Sequence, residues 1–232
     1  MALRYSPRIV TDGLVLYLDA ANKKSYPGTG TTWSDLSANE GTASINNNPT
    51  FSSEGYFDSD GVSDYFRFER SDLNAGTFSY DLITVFLWYK PSASGDTDHT
   101  GNNLITVENS FEISVGNNSN GFHGLYYASN PWAWYGTTAN VLVNEKWNLI
   151  TYVHESTIRR LYVNGIEVFT RNNTGNIAAG SSSYPYLTLM GRYSGTSSNA
   201  EGKLAQVNLY SRVFSPSEIL LTYNVTKSRF GL

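Results

Sequence analysis

The stretch SNPWAWYGTT, residues 129–138, concentrates aromatic rings in a segment without a charged residue. Flat rings stack on the apolar C–H face of a pyranose while nearby amides bond its hydroxyls, so this composition is typical of a sugar-binding surface. The same rings also serve in β-sheet cores and in subunit contacts. The candidate residues for a carbohydrate-binding surface or an interface are Tyr126, Asn130, Trp132, Trp134 and Tyr135.

Strand alternation divides these aromatic residues between two faces. Residues 121–136 are predicted to form two strands joined at 129–131, which places Trp132 and Trp134 on one face and Tyr135 on the opposite face. Only one of these faces can line a core. The other is predicted to contact a carbohydrate or another subunit, or to pack under a loop, and the local sequence does not choose among these.

Paired carboxylates are the first requirement of a glycoside hydrolase, since retaining enzymes hold two of them ~5–5.5 Å apart. The nearest approach here is Glu108 and Glu112 in VENSFEIS, where Asn109-Ser110 predicts an intervening turn. We interpret these residues as two solvated hairpin carboxylates.

Other catalytic signatures are also missing from the sequence. No Gly-x-Ser-x-Gly elbow occurs, and no pair of histidines has a metal-binding spacing. A lone histidine on a strand is more often a surface or hydrogen-bonded residue than a ligand. The three isolated histidines are His99, His123 and His154. The sequence therefore predicts a non-enzymatic protein.

Two acidic segments offer hard oxygen ligands for a structural calcium ion. One contains Asp58, Asp60 and Asp64 around a glycine, and the other pairs Asp35 with Asn39. The alternative for the first is an Asp-Gly turn between two strands. Both interpretations stay open, and the metal ligands are unknown at this point.

Length and charge limit the classes of partner. The chain has 232 residues, a formal net charge of −4 and no cysteine. This balance argues against nucleic acid and membrane partners and excludes disulfides. No apolar run is long enough for a signal-peptide core, so export by that route is not expected. We expect one domain over 1–232, with an N-terminal arm at 1–10 and a C-terminal tail at 225–232.

Short apolar runs bounded by Gly, Pro and polar turns predict an all-β protein. Residues 84–90, TVFLWYK, are apolar on both alternating faces, so both faces must be covered. Asn164-Gly165 predicts a type I′ hairpin. In GKLAQVNLY, residues 202–210, we predict Ala205, Val207 and Leu209 on a buried face and Gln206 and Asn208 on a solvated face.

A single short helix is predicted near the C-terminus, where Ser215 is the N-cap, Pro216 the first helical residue and Glu218 the capping-box acid. With strands at roughly 8–12-residue spacing, these elements predict a two-sheet antiparallel β-sandwich of the jelly-roll type.

Five segments also resemble, in order and spacing, the concanavalin A-like, laminin G-like lectin domains. They are DGLVLYLDAANKKSYPGTGTTWSDLSANEGT, FDSDGVSDYF, TVFLWYKP, WNLITYVHESTIRRLYVNGIEV and GKLAQVNLYSRVFSPSEILLTYN. The resemblance implies an antiparallel sandwich that binds carbohydrate or protein and sometimes carries calcium. Glycoside hydrolases share this fold, so the fold does not decide the function.

More narrowly, the opening segment and the ending YNVTKSRFGL look like the version of this domain in structural proteins of tailed bacteriophages. That resemblance implies a virion protein made in the host cytoplasm, as a capsid decoration or a tail or fibre component. The partners it implies are other virion subunits, further copies of the chain, and glycans of the host surface.

Overall fold

The computed structural model describes residues 9–73, 82–92, 102–118, 122–129, 133–137, 140–172, 177, 180–193 and 197–232. For 117, 118, 122–129 and 133 the description is of the backbone. Within these residues, two eight-stranded antiparallel sheets pack face to face, which confirms the predicted all-β sandwich. None of the described helices is long and apolar enough to span a membrane.

The first sheet, sheet I, has the order β14-β13-β12-β7-β16-β5-β4, with β1 also paired to β16. Its strands are β1 (Leu14–Asp19), β4 (Thr50–Ser52), β5 (Tyr56–Asp60), β7 (Leu82–Pro91), β12 (Asn148–Glu155), β13 (Ile158–Val163), β14 (Ile166–Arg171) and β16 (Glu201–Tyr210).

The second sheet, sheet II, has the order β11-β10-β9-β8-β15-β6-β3-β2. Its strands are β2 (Thr32–Ser34), β3 (Thr42–Asn46), β6 (Tyr65–Glu69), β8 (Asn103–Val107), β9 (Phe111–Asn118), β10 (Phe122–Ser129), β11 (Ala133–Gly136) and β15 (Tyr186–Leu189).

The inner faces of the two sheets form the main core. Alternate residues of β7 enter it, and the residues between them lie in a second apolar cluster on the outer face of sheet I. Val85 and Leu87 are in the first set, while Phe86 and Trp88 are in the second. The prediction that both faces of this strand are covered is confirmed.

The outer face of sheet I is covered by helix α1 (Pro216–Thr226) and the 3₁₀ turn Lys227–Phe230. The predicted capping box is present, because Ser215 N–H donates to Glu218 and Glu218 N–H donates to the Ser215 hydroxyl. Residues 225–232, expected to be a tail, pack instead: the Phe230 ring stacks on Trp88 at 4.0 Å between centroids.

The predicted solvated face of β16 is wrong. Gln206 and Asn208 are buried beneath α1, and Gln206 donates a hydrogen bond of 2.7 Å to Asn208. A β-bulge between Leu204 and Gln206 shifts the alternation, so Ala205 lies in the outer cluster while Val207 lies in the main core. The alternation read from the sequence assumed an unbroken ladder.

The hairpin between β13 and β14 turns at Asn164 and Gly165, with φ values of 53° and 81°, as predicted for a type I′ turn. His154 differs from its prediction. It is fully buried, and neither ring nitrogen has a hydrogen-bond partner in the described part of the chain. Burial, helped by the Arg159 guanidinium, lowers the pKa of His154 to about 3, so its ring is neutral.

We expect Phe230→Ala to lower the free energy of unfolding by about 2 kcal/mol, because it removes the ring stacked on Trp88 and in contact with Trp147. Denaturant unfolding followed by tryptophan fluorescence measures the loss. The matched control is Leu232→Ala, at a side chain that is 44% exposed. Equal stability of the two variants would show that the C-terminal turn does not support the fold.

Candidate functional site

One continuous row of cross-strand partners runs across the outer face of sheet II. At positions 112, 106, 188, 67 and 44, the residues on both sides along the strand pack in or against the core, so alternation turns the row away from the core. In spatial order, this outer row consists of positions 134, 128, 112, 106, 188, 67, 44 and 32. By residue type these are Trp, Ala, Glu, Thr, Thr, Arg, Ser and Thr. The face is therefore a polar strip with a tryptophan at one end.

The two faces of β11 are now distinguished. Tyr135 packs against the main core and lies under the guanidinium of Arg171, 4.5 Å from the ring centroid. Trp134 is its strand neighbour, half-buried, and takes the outer position of the row. Of the two described aromatic residues in this segment, Trp134 is the one that lies on the outer face.

The structure describes only part of the other predicted site residues. The backbone of Tyr126 pairs with Gly136 and Ser114, two residues along β10 from the partner of Trp134. Asn130 and Trp132 lie outside the described residues. The strands β10 and β11 do form the predicted antiparallel pair around them.

The centre of the outer row is buried although it faces away from the core. Glu112 is 0% exposed and Thr106, directly opposite it, is 1% exposed. Among the described residues, neither Glu112 Oε2 nor Thr106 Oγ1 has a hydrogen-bond partner. Such buried, unsatisfied oxygens are costly to a fold and are often associated with function or with bound water.

Arg192 covers this centre and joins two carboxylates. Its Nε and one terminal nitrogen donate to Glu108 at 3.1 Å each, and its Nε lies 2.7 Å from Glu112 Oε1. The predicted turn between the carboxylates is present, with Asn109 at a φ of 59°. The interpretation of Glu108 and Glu112 as solvated is wrong, because the fold brings both of them to one guanidinium.

Burial raises the pKa of Glu112 to about 7, and the neighbouring Glu108 carboxylate acts in the same direction. Arg192 opposes this rise but does not cancel it. Glu108 shares the same guanidinium, and one oxygen of Glu112 is left without a partner among the described residues. The site therefore holds a carboxyl group that changes charge near neutral pH.

Beyond its buried centre, the row carries Arg67, which is half-buried. Its guanidinium lies over the ring of Tyr186 at 4.5 Å from the centroid. Nearby on the same side, Tyr184 packs against Tyr193 at 5.2 Å, and Arg192 lies over Tyr193. Aromatic rings and guanidinium groups thus alternate beside the polar row.

The acidic segments considered for calcium are engaged by their own loops. Asp60 Oδ1 accepts hydrogen bonds from the backbone of Val62, Ser63 and Asp64, as in the Asp-Gly turn alternative. Asp35 Oδ1 accepts from the backbone of Tyr17 and Ser37. No group of three or more candidate metal ligands occurs among the described residues. The bound calcium stays a prediction.

Sequence reasoning missed Arg67, Tyr186 and Arg192. A signal for the row was present, because YFRFE and YLTL each set one polar residue between two apolar ones. That pattern places Arg67 and Thr188 on an outer face. It contains nothing about Arg192, which reaches the row from a turn.

The comparisons with known proteins identify a family and a fold. The model of the concanavalin A-like lectin/glucanases superfamily matches residues 60–220. This match confirms the lectin-type resemblance of the sequence. The search of curated proteins finds no match to this chain.

Several solved structures share the fold at low sequence identity. The ligand-binding domain of botulinum neurotoxin serotype D, in complex with N-acetylneuraminic acid, is 15% identical with a TM-score of 0.67, covering 94% of this chain and 52% of that one. The binding domain of Paraclostridial Mosquitocidal Protein 1 is 15% identical with a TM-score of 0.63, covering 91% and 52%. The chain thus spans about half the length of the structures it matches.

We expect Glu112→Gln to gain stability over the wild type as the pH rises from about 4.5 to 7. Because the pKa of Glu112 is higher in the folded than in the unfolded protein, the neutral carboxyl stabilises the fold fully at pH values below the unfolded pKa. This stabilisation is lost as the pH rises through the folded pKa. The amide is neutral throughout, so the difference in unfolding free energy should grow by roughly 3 kcal/mol.

Denaturant titrations of both proteins at several pH values measure this difference. Glu54→Gln, at an exposed carboxylate, is the control and should show no such trend. A difference that stays flat with pH would show that Glu112 titrates normally.

Proposed function

This chain belongs to the concanavalin A-like lectin/glucanase superfamily, and from that premise we propose that it is a non-enzymatic carbohydrate-binding module that uses the outer face of sheet II. The single domain predicted over 1–232 would carry this activity. The ligand is a glycan of a cell surface, and the role is adhesion.

The observation that carries the proposal is the position of Trp134. Its strand neighbour Tyr135 enters the core, so Trp134 presents its half-buried ring on the outer face. An indole ring at the edge of a polar face provides an apolar platform for a pyranose. Such a platform works together with hydrogen-bonding groups, and the less buried polar residues of the outer row lie beyond its buried centre.

Those groups extend across the width of sheet II. Ser44 and Arg67 lie half-buried toward the far end, and Thr32 is exposed at the edge. Hydroxyl and guanidinium groups bond sugar hydroxyls well. Sheet II is eight strands wide, and at roughly 4.8 Å per strand the distance from Trp134 to these residues spans several sugar rings, with the buried centre of the row between them.

The structural neighbours support the ligand class. The serotype D domain is described as a complex with N-acetylneuraminic acid, a sugar. Since this chain matches only about half of that domain, the likeness supports a sugar ligand in general and does not transfer a particular binding site.

The absence of catalysis is part of the proposal. Glu108 and Glu112 come together, as a retaining glycosidase would require. However, Arg192 bonds both carboxylates and Glu112 is fully buried, so a glycosidic bond does not reach the pair in this conformation. Release of reducing sugar from a polysaccharide panel would overturn this part of the proposal.

We further propose that the module belongs to a structural protein of a tailed bacteriophage virion. The resemblance of the opening segment and of the ending YNVTKSRFGL supports this. A second observation favours a subunit contact. Ile166 and Leu220 are 67% and 45% exposed where the β13–β14 hairpin meets α1. Exposed apolar patches of this kind mark protein interfaces.

The carbohydrate proposal is tested on a glycan array with purified protein. We expect the wild type to bind a subset of glycans and Trp134→Ala to weaken that binding roughly tenfold, because it removes the stacking ring. Trp134→Phe keeps a ring and should retain part of the affinity.

The matched control is Trp147→Ala, at a half-buried tryptophan beside Phe230 on the opposite side of the sandwich. It should cost stability without a loss of glycan binding. Unchanged binding by Trp134→Ala, or no glycan bound by the wild type, would contradict the proposal.

The virion proposal is tested by mass spectrometry of purified phage particles from the source of this sequence. We expect peptides of the chain in the intact particle, at a copy number that separates a decoration or tail protein from a contaminant. Particles that lack these peptides would contradict the virion role and leave the carbohydrate proposal standing.

A further inference from the structure

Arg67 is placed on the outer face, and its positive charge is uncompensated among the described residues. It lies on β6 between the core residues Phe66 and Phe68, and its side chain is half-buried. Within the described part of the chain, no carboxylate lies within ion-pair distance of its guanidinium. Glu69, two residues along the same face, is exposed and makes no ion pair with it.

Four other arginines of the molecule form ion pairs with carboxylates of the fold. Arg160 bonds Glu155 at 2.9 Å, Arg212 bonds Glu218 at 2.9 Å, and Arg229 lies 2.8 Å from Asp19. Arg192 bonds two carboxylates. Arg67 instead has its guanidinium over an aromatic ring, as Arg171 does, and it differs from Arg171 in lying on the outer face of sheet II, where an anionic partner can bind it.

Tyr186 orients the Arg67 guanidinium for that purpose. A guanidinium 4.5 Å above a phenol ring is held by the cation–π interaction, which leaves the N–H groups at its edge free to donate. Because the group is already ordered, less conformational entropy is lost when a ligand binds. A planar carboxylate, or two oxygens of a tetrahedral sulfate ester, accepts two parallel hydrogen bonds from such an edge.

The position of Arg67 also suits an extended ligand. In the outer row it is separated from Trp134 by positions 128, 112, 106 and 188. At roughly 4.8 Å per strand, this distance corresponds to several sugar rings. The centre between them is covered by Arg192, so the two ends act as separate contact points.

From this arrangement we infer that the glycan bound by this protein is acidic, and that Arg67 with Tyr186 forms the subsite for its carboxylate or sulfate group. The inference rests on the proposed carbohydrate function and specifies its ligand class. Neutral glycans contact the Trp134 end alone and bind more weakly.

The experiment compares matched polymers by biolayer interferometry. Polygalacturonate and its fully methyl-esterified form share a backbone and differ in charge, and dextran sulfate and dextran do the same for sulfate. We expect the wild type to bind at least one acidic polymer about tenfold more tightly than its neutral partner, and Arg67→Gln to abolish that preference. The acidic pair that shows the preference identifies the anionic group as carboxylate or sulfate.

The control for net charge is Arg171→Gln. Arg171 also lies over a tyrosine at 4.5 Å, but that tyrosine is the core-facing Tyr135. This variant should keep the preference, and Arg67→Lys should keep only part of it, since an ammonium group lacks the planar edge. Thermal unfolding of each variant verifies the fold.

The outcomes separate the two proposals. If the wild type binds both members of each pair equally and Trp134→Ala weakens both, the carbohydrate function stands and the acidic subsite is wrong. The subsite is also wrong if Arg67→Gln keeps the preference or if Arg171→Gln loses it equally. If the wild type binds none of the four polymers and no glycan on the array, both proposals fall.

Discussion

The burial of both faces of sheet I is the constraint on which the rest of the structure depends. Its central strand β7 is apolar on each side, because Val85 and Leu87 alternate with Phe86 and Trp88. One side meets sheet II, and the other requires α1 and the 3₁₀ turn with Phe230. An apolar face left in water would forgo roughly 25 cal/mol per Å² of hydrophobic stabilisation. The outer face of sheet II is therefore the sheet surface left for polar chemistry.

On that surface, the buried centre differs from the half-buried positions on either side of it. Its centre holds Glu112, a fully buried carboxyl with a pKa raised to about 7, beneath Arg192. A buried carboxyl with one oxygen unpaired among the described residues weakens the fold more than an apolar residue of similar size would. Selection for stability alone does not favour such an arrangement. On either side of the centre of the outer row, Trp134 and Arg67 are only half-buried.

The predictions made from sequence succeed where one strand or one turn is sufficient. The Asn164-Gly165 turn, the capping box at Ser215 and the two apolar faces of β7 depend on neighbours a few residues apart, and all are confirmed. The predictions fail where the burial of a residue depends on contacts between segments that are far apart in the chain. The bulge in β16 arises from its pairing with β7 and moves Ala205 to the outer cluster, while α1 buries Gln206, which alternation alone left solvated. The solvation expected for Glu108 and Glu112 fails because Arg192 lies some eighty residues later in the chain.

By itself, the sequence determined the all-β class, the sandwich, the C-terminal helix and the separation of Trp134 from Tyr135 onto opposite faces, since these follow from periodicity and local hydrogen bonding. Only the tertiary structure decided that Tyr135 is the one in the core. It also decided that Trp134, Glu112 and Arg67 share one transverse row. The physical reason is that alternation fixes relative orientation within a strand, whereas the strand order and the register that choose a face come from packing between segments far apart in the chain.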